Sequence, residues 1–140
     1  MGQEPLPEWQ PSGKIFLVGT MIDGMLELAA QQAALVQEVR AKPYVLDDET
    51  VDRVIGVYTR QRDDLWLWDE QLRRWSAEAL NGIRRREVLR LQGQMVKLHA
   101  AVASILALAD ELKGGTIERV LAMDDAALGL EMLRRHRSEE

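Results

Sequence analysis

Between Val88 and Leu112 an apolar residue stands at every step of a strict three-four alternation: Val88, Leu91, Met95, Leu98, Val102, Ile105, Ala109 and Leu112. A helix turns by about 100° per residue, so this spacing lines one face of it, whereas a strand would need alternation every second residue. The same pattern runs through Ile15, Val18, Ile22, Met25, Ala29, Val36 and Val39, with Gln32 as its polar exception. It returns through Val51, Val54, Tyr58, Leu65, Trp68, Leu72, Trp75 and Ala79, with Gln61 as the exception. Hydrophobic residues are 46% of the chain, too few to fill such phases by chance. The fold class that follows is all-α: an antiparallel bundle of three long helices with coiled-coil-like packing, closed by one or two short C-terminal helices.

Boundary residues divide the chain. Residues 1–13, with Pro5, Pro7 and Pro11, read as a flexible arm that lays Trp9 on something apolar; residues 14–135 form one bundle domain, and residues 136–140 a frayed tail. Ser12 is the expected cap of the first helix, which runs to about Ala41. Lys42-Pro43 stops it, because a residue before proline is pushed out of the helical region, and Pro43–Leu46 reads as an extended connector. Asp47 or Asp48 caps the second helix, with Glu49 and Asp52 placed where the helix dipole favours negative charge. Asn81-Gly82 marks a turn between the second and third helices. The competing reading is a single kinked rod from Asp48 to Lys113, about 100 Å long, because Arg84-Arg85-Arg86 would oppose the dipole of a new helix. Gly114-Gly115 reads as a C-terminal glycine cap, Thr116 caps a helix from Ile117 to about Met123, and Asp124-Asp125 begins another from Ala126 to Arg135. The nearly uncharged first helix, with Gly19 and Gly24 allowing close approach, is expected at the centre of the bundle.

With 140 residues the chain can bury a core without staples, and with no cysteine it has no cystine framework or thiolate metal site. A thiol-free chain fits a reducing compartment, so the expected location is cytoplasmic. The opening residues do not read as a secretory signal, Asp23 and Glu27 interrupt the apolar stretch from Ile15 to Ala30, and Ala100 to Ala109 is too short to span a membrane. A net charge of −5 argues against a general affinity for polyanions.

Two surfaces stand out. Leu65-Trp66-Leu67-Trp68 makes one helical turn apolar on all sides: with Leu65 and Trp68 inward, Trp66 and Leu67 point away from the core. Arg60, Arg73 and Arg74 lie around that outer face, and a tryptophan rimmed by arginines has the composition of a protein-binding hot spot. The alternative is an exposed tryptophan resting on arginine stems. The second surface is Arg84, Arg85, Arg86 and Arg90, a candidate for nucleic-acid phosphates, although adjacent residues splay around a helix and carboxylates are at hand to pair with them. Gln32 and Gln61 either set the register of the seams or sit at the bundle's edge.

Catalytic patterns are thin. Glu49 and Asp52 share a helix face, but a cation site would have to be assembled with Asp23 and Glu27, and capping accounts for the acidic cluster. Neither His99 nor His136 has a carboxylate three residues before it, and no serine sits in an elbow. The sequence thus leads to a non-enzymatic interaction or assembly protein of adaptor or regulatory type, without cofactor or metal. Expected partners are a second copy, forming a dimer through the second and third helices, and another protein. Nucleic-acid binding by the arginine cluster is the alternative.

Overall fold

In the computed structural model, which describes residues 7–139, three long helices pack side by side: α1 (Ile15–Val39), α2 (Asp48–Ser76) and α3 (Gly82–Leu112). A fourth, α4 (Ile117–Glu139), leaves the end of the bundle, and the described residues contain no strand. Short 3-10 turns precede α1 (Ser12–Lys14), link α1 to α2 (Pro43–Val45) and follow α3 (Lys113–Gly115). The all-α bundle of three long helices read from the periodicity is the observed architecture.

The third seam packs as its spacing requires. All eight positions from Val88 to Leu112 are buried, and α3 packs along both α1 and α2. It is therefore α3, not α1, that forms the centre of the bundle. The reason is the completeness of its seam: a helix with no polar interruption can face two neighbours at once, and α1 carries Gln32 in its own. Ile15, Val18, Ile22 and Ala29 of α1 and Tyr58, Leu65, Leu72 and Trp75 of α2 join the α3 residues in one core, and Val36, Val51 and Leu112 make a second cluster at one end. Burial of a Leu- or Ile-sized side chain contributes roughly 1.5–3 kcal/mol, so the uninterrupted α3 seam is the largest single contribution to stability.

The single-rod alternative fails at residues 77–81. The Ala77 amide reaches back to the Arg73 and Arg74 carbonyls, α2 stops at Ser76, and Asn81 Oδ1 accepts the Arg84 amide at 2.9 Å to start α3. An asparagine cap contributes about 1 kcal/mol and offsets the arginines in the first turn. Asp47 caps α2 in the same way, accepting from the Thr50 amide at 2.7 Å.

Several boundary expectations are corrected. Ser12 does not cap α1: it opens a 3-10 turn, and its Oγ instead accepts from Arg84 at 3.3 Å. The connector after Lys42 is a 3-10 turn rather than extended, since proline's fixed φ also suits the first position of such a turn. Neither Gly114 nor Gly115 has a positive φ, so they form no left-handed cap. Gly115 is there for space: a Cβ on it would lie 2.6 Å from Pro43 Cγ, inside any permitted contact. Of the one or two short C-terminal helices expected, one is found, and it is longer: Asp124-Asp125 lies within a continuous α4 instead of opening a second helix, and the backbone is helical as far as Glu139, through residues expected to be a frayed tail. Acidic residues are tolerated inside a helix when no proline or glycine forces a stop.

The start of α4 is locked to the start of α2. Thr116, fully buried, donates to Asp48 Oδ1 at 2.6 Å, the Ile117 amide donates to the Leu46 carbonyl at 2.8 Å, and Glu118 accepts the Asp48 amide at 3.0 Å. Beyond that lock α4 makes its main contacts with the two 3-10 turns at this end, not with the long helices.

Candidate docking surfaces

Trp66 points outward from α2, as the periodicity requires, and is 53% exposed; Leu67 is partly buried. The covering comes from the same chain. Trp9 approaches Trp66 edge to face, with ring centroids 6.4 Å apart, and the Arg74 guanidinium lies over the Trp9 ring at 4.4 Å. The described part of the arm is held there by its backbone. The Gln10 amide donates to Gln71 Oε1 at 2.6 Å, and the Gln10 carbonyl accepts from Gln71 Nε2 at 3.3 Å and from Trp75 Nε1 at 3.0 Å. Gln71 is 5% exposed and spends its amide on this one peptide. Nothing local in the sequence marks it, whereas Gln32 and Gln61 stand out as the polar residues of their seams. Both of those are only partly buried, which fits an edge position.

The arginines around Trp66 divide accordingly. Arg73 is bound to Glu70, with Nε donating at 2.7 Å, and Arg74 bridges Glu70 and the Trp9 ring. The two guanidinium groups hold the Glu70 carboxyl below the usual carboxylate range. Arg60 is exposed on the same helix. The arm, α1 and α2 enclose a cleft of about 350 Å³ lined by Trp9, Val18, Asp64, Leu67, Trp68 and Gln71.

The arginine cluster at the start of α3 is not one patch. Arg84 reaches Ser12, and Arg90 forms a fork with Asp23 on α1, both bonds at 2.9 Å, while also donating to Glu87 at 2.6 Å. Gln94 adds a bond to Asp23 at 3.0 Å. Asp23 is held below its ordinary pKa chiefly by the Arg90 bond, and Arg90 is raised in turn. Arg85 and Arg86 remain exposed. Of the carboxylates considered for a cation, Asp23 is thus committed to α3, and Glu49 pairs with Arg53 at 3.1 Å. His99 instead meets Asp69 of α2 at 2.7 Å. Among the described residues no three His, Cys, Asp or Glu side chains gather as metal ligands, and no helix is long and apolar enough to cross a membrane.

A third surface was not singled out in the sequence. On α1 Leu17, Met21, Leu28 and Leu35 are 56%, 48%, 65% and 56% exposed, although α1 was expected to be the most buried helix. They lie on the side of α1 away from Asp23, which faces α3. Leu35 also forms the lip of an apolar cleft of about 240 Å³ between α1 and α2, lined by Val36, Val39, Val51, Val54 and Leu112. The signal was available, since the four residues share the three-four spacing of the buried seam.

Among the described residues, the apolar surface at Trp66 is met by the chain's own arm and the α1 row is exposed, as are Leu89 and Val96 on α3 and Leu121, Met123, Leu130, Met132 and Leu133 on α4. Compared with protein-family models, curated protein sequences and solved structures, the chain matches none.

Proposed function

We propose that this chain is a non-catalytic assembly protein that works by helix-to-helix contact with other protein chains. The uncovered face of α1 carries the reading: four large apolar side chains in one row, each about half or more exposed, form a larger contiguous patch than scattered surface residues do. The Trp66 surface contributes less than its sequence promised, because Trp9 and Arg74 already occupy part of it. Gly24 lies in the same row and has no side chain to hold a neighbour away.

The nucleic-acid reading has less support. Arg84 and Arg90 have intramolecular partners, which leaves Arg85 and Arg86 on a chain of net charge −5. Two exposed arginines give only a shallow salt dependence.

The test is purification of the protein from its native host with and without Leu28→Asp. The wild type is expected to come with a stoichiometric protein partner, either itself or another chain, and the variant to lose it while keeping its helical dichroism. Binding that survives Leu28→Asp, or a wild type that is a lone monomer in its host, would refute the reading. Steeply salt-dependent oligonucleotide binding lost in an Arg85→Ala, Arg86→Ala variant would favour the alternative.

A further inference from the structure

The exposed row on α1 follows a second seam, apolar at Leu17, Met21, Leu28 and Leu35 and charged at its two ends. Lys14, the last residue of the 3-10 turn that leads into α1, and Leu17, Met21, Gly24, Leu28, Gln31, Leu35 and Glu38 of the helix repeat the three-four alternation of the buried seam, displaced by about 100°. Gly24 is partly buried and the other seven are exposed. Alternating steps of three and four are the a and d positions of a coiled coil, in which antiparallel helices set each a residue against a d residue. Here Lys14, Met21, Leu28 and Leu35 take a positions, and Leu17, Gly24, Gln31 and Glu38 take d positions.

Building on the assembly reading above, we propose that the occupant of this face is a second copy of the chain, its α1 lying antiparallel in the register that sets Gly24 against Leu28 of the second copy. Each a position then faces a d position of the second copy. Leu17 meets Leu35 of the second copy, Met21 meets Gln31, and Lys14 meets Glu38 at both ends. Among the described residues neither Lys14 nor Glu38 has an ion pair within its own chain. Parallel pairing would instead set lysine on lysine and glutamate on glutamate. A second copy supplies both complements by symmetry, as an isologous contact requires. Shape agrees as well: the space where a Gly24 side chain would stand is empty, so the Leu28 knob of the second copy has room.

The area sets the strength. The four large apolar side chains offer about 400 Å² per copy, and the stems of Lys14, Gln31 and Glu38 bring the pair to about 1,000–1,200 Å², at the lower edge of specific interfaces. An interface of that size belongs with the weak, reversible associations rather than the permanent ones. The outer face of α3 repeats the spacing through Leu89, Gly93, Val96, Ala100, Ala103 and Ala107. Only Leu89 and Val96 there are large, so it removes less apolar surface from water.

Sedimentation of the purified full chain over a concentration series tests the proposal. The wild type is expected to pass from monomer to dimer in the micromolar range, and Leu28→Asp to stay monomeric with the thermal melt of the dilute, monomeric wild type. Lys14→Glu and Glu38→Lys are each expected to weaken the dimer by about three- to tenfold, and the two in one chain to restore it. Because the native chain has no cysteine, orientation can be read directly by oxidation. Leu17→Cys mixed with Leu35→Cys should give a disulfide-linked dimer, and neither variant alone should. Cross-linking of Leu17→Cys with itself, absence of charge-swap rescue, or dissociation by Val96→Asp but not Leu28→Asp would each overturn the register. A wild type that stays monomeric at every concentration would overturn self-pairing. The assembly reading would then survive only if Leu28→Asp still abolished a stoichiometric contact with a different host protein.

Discussion

The outer face of α2 at Trp66 and the outer face of α1 at Leu28 are both apolar, yet the chain treats them differently. Trp66 is met by Trp9, which is clamped by Arg74 and tethered through Gln10 to Gln71 and Trp75. Among the described residues the α1 row has no such strap along its length. The more conspicuous sequence, a tryptophan-leucine repeat, marks the surface the protein partly closes for itself, and the plainer row on α1 stays exposed. Apolar composition says that a surface needs cover; it does not say whose atoms supply it.

Substitutions can break or sharpen that contrast. The largest effect is expected on the covered side: Trp75→Ala should cost about 3–5 kcal/mol by denaturant melting, since the ring is fully buried and its Nε1 is one of the arm's anchors. Trp9→Ala removes the ring contact and the cation–π stack, and should cost about 1–2 kcal/mol while shifting the remaining tryptophan emission to the red. Gln71→Ala takes two of the three bonds from the Gln10 peptide; a loss of about 1 kcal/mol is expected, with faster proteolysis of the arm. A smaller, pH-dependent effect belongs to Asp23, which joins α1 to α3. Its pKa is lowered in the folded state by Arg90, so its stabilisation is present above the ordinary aspartate value and is lost as pH falls through the depressed one. Asp23→Asn should flatten the acid limb of a pH–stability profile, and high salt should do the same in part. The smallest change in the monomer's melt is expected for Leu28→Asp, within about 0.5 kcal/mol, because the position is already in water. A large loss there in the dilute, monomeric protein would mean that the α1 face is closed by its own chain.

Much of the fold was legible in spacing alone. Every α3 seam residue read from the sequence is buried, and Asp47 and Asn81 cap the helices they precede. Spacing identifies a face, because side chains three and four residues apart must point the same way. It also contains the second α1 row, since a helix can carry a three-four alternation in more than one phase. Other features had no local signal. Gln71 is buried because a peptide sixty-one residues earlier needs its amide, and Arg90 is taken out of the arginine cluster by Asp23, sixty-seven residues away. Ser12 failed as a cap because Arg84 lies near it in space.

The sequence by itself determined that this chain is helical, where its long helices turn, and which side of α3 is buried, because those outcomes depend on periodicity and on capping residues within a few positions. Only the tertiary structure decided that α3 is central, that the arm lies on Trp66, and that a row of α1 leucines faces water. Which of several apolar faces is covered depends on how three rods share one core, and three rods cannot enclose every apolar row that their sequences carry.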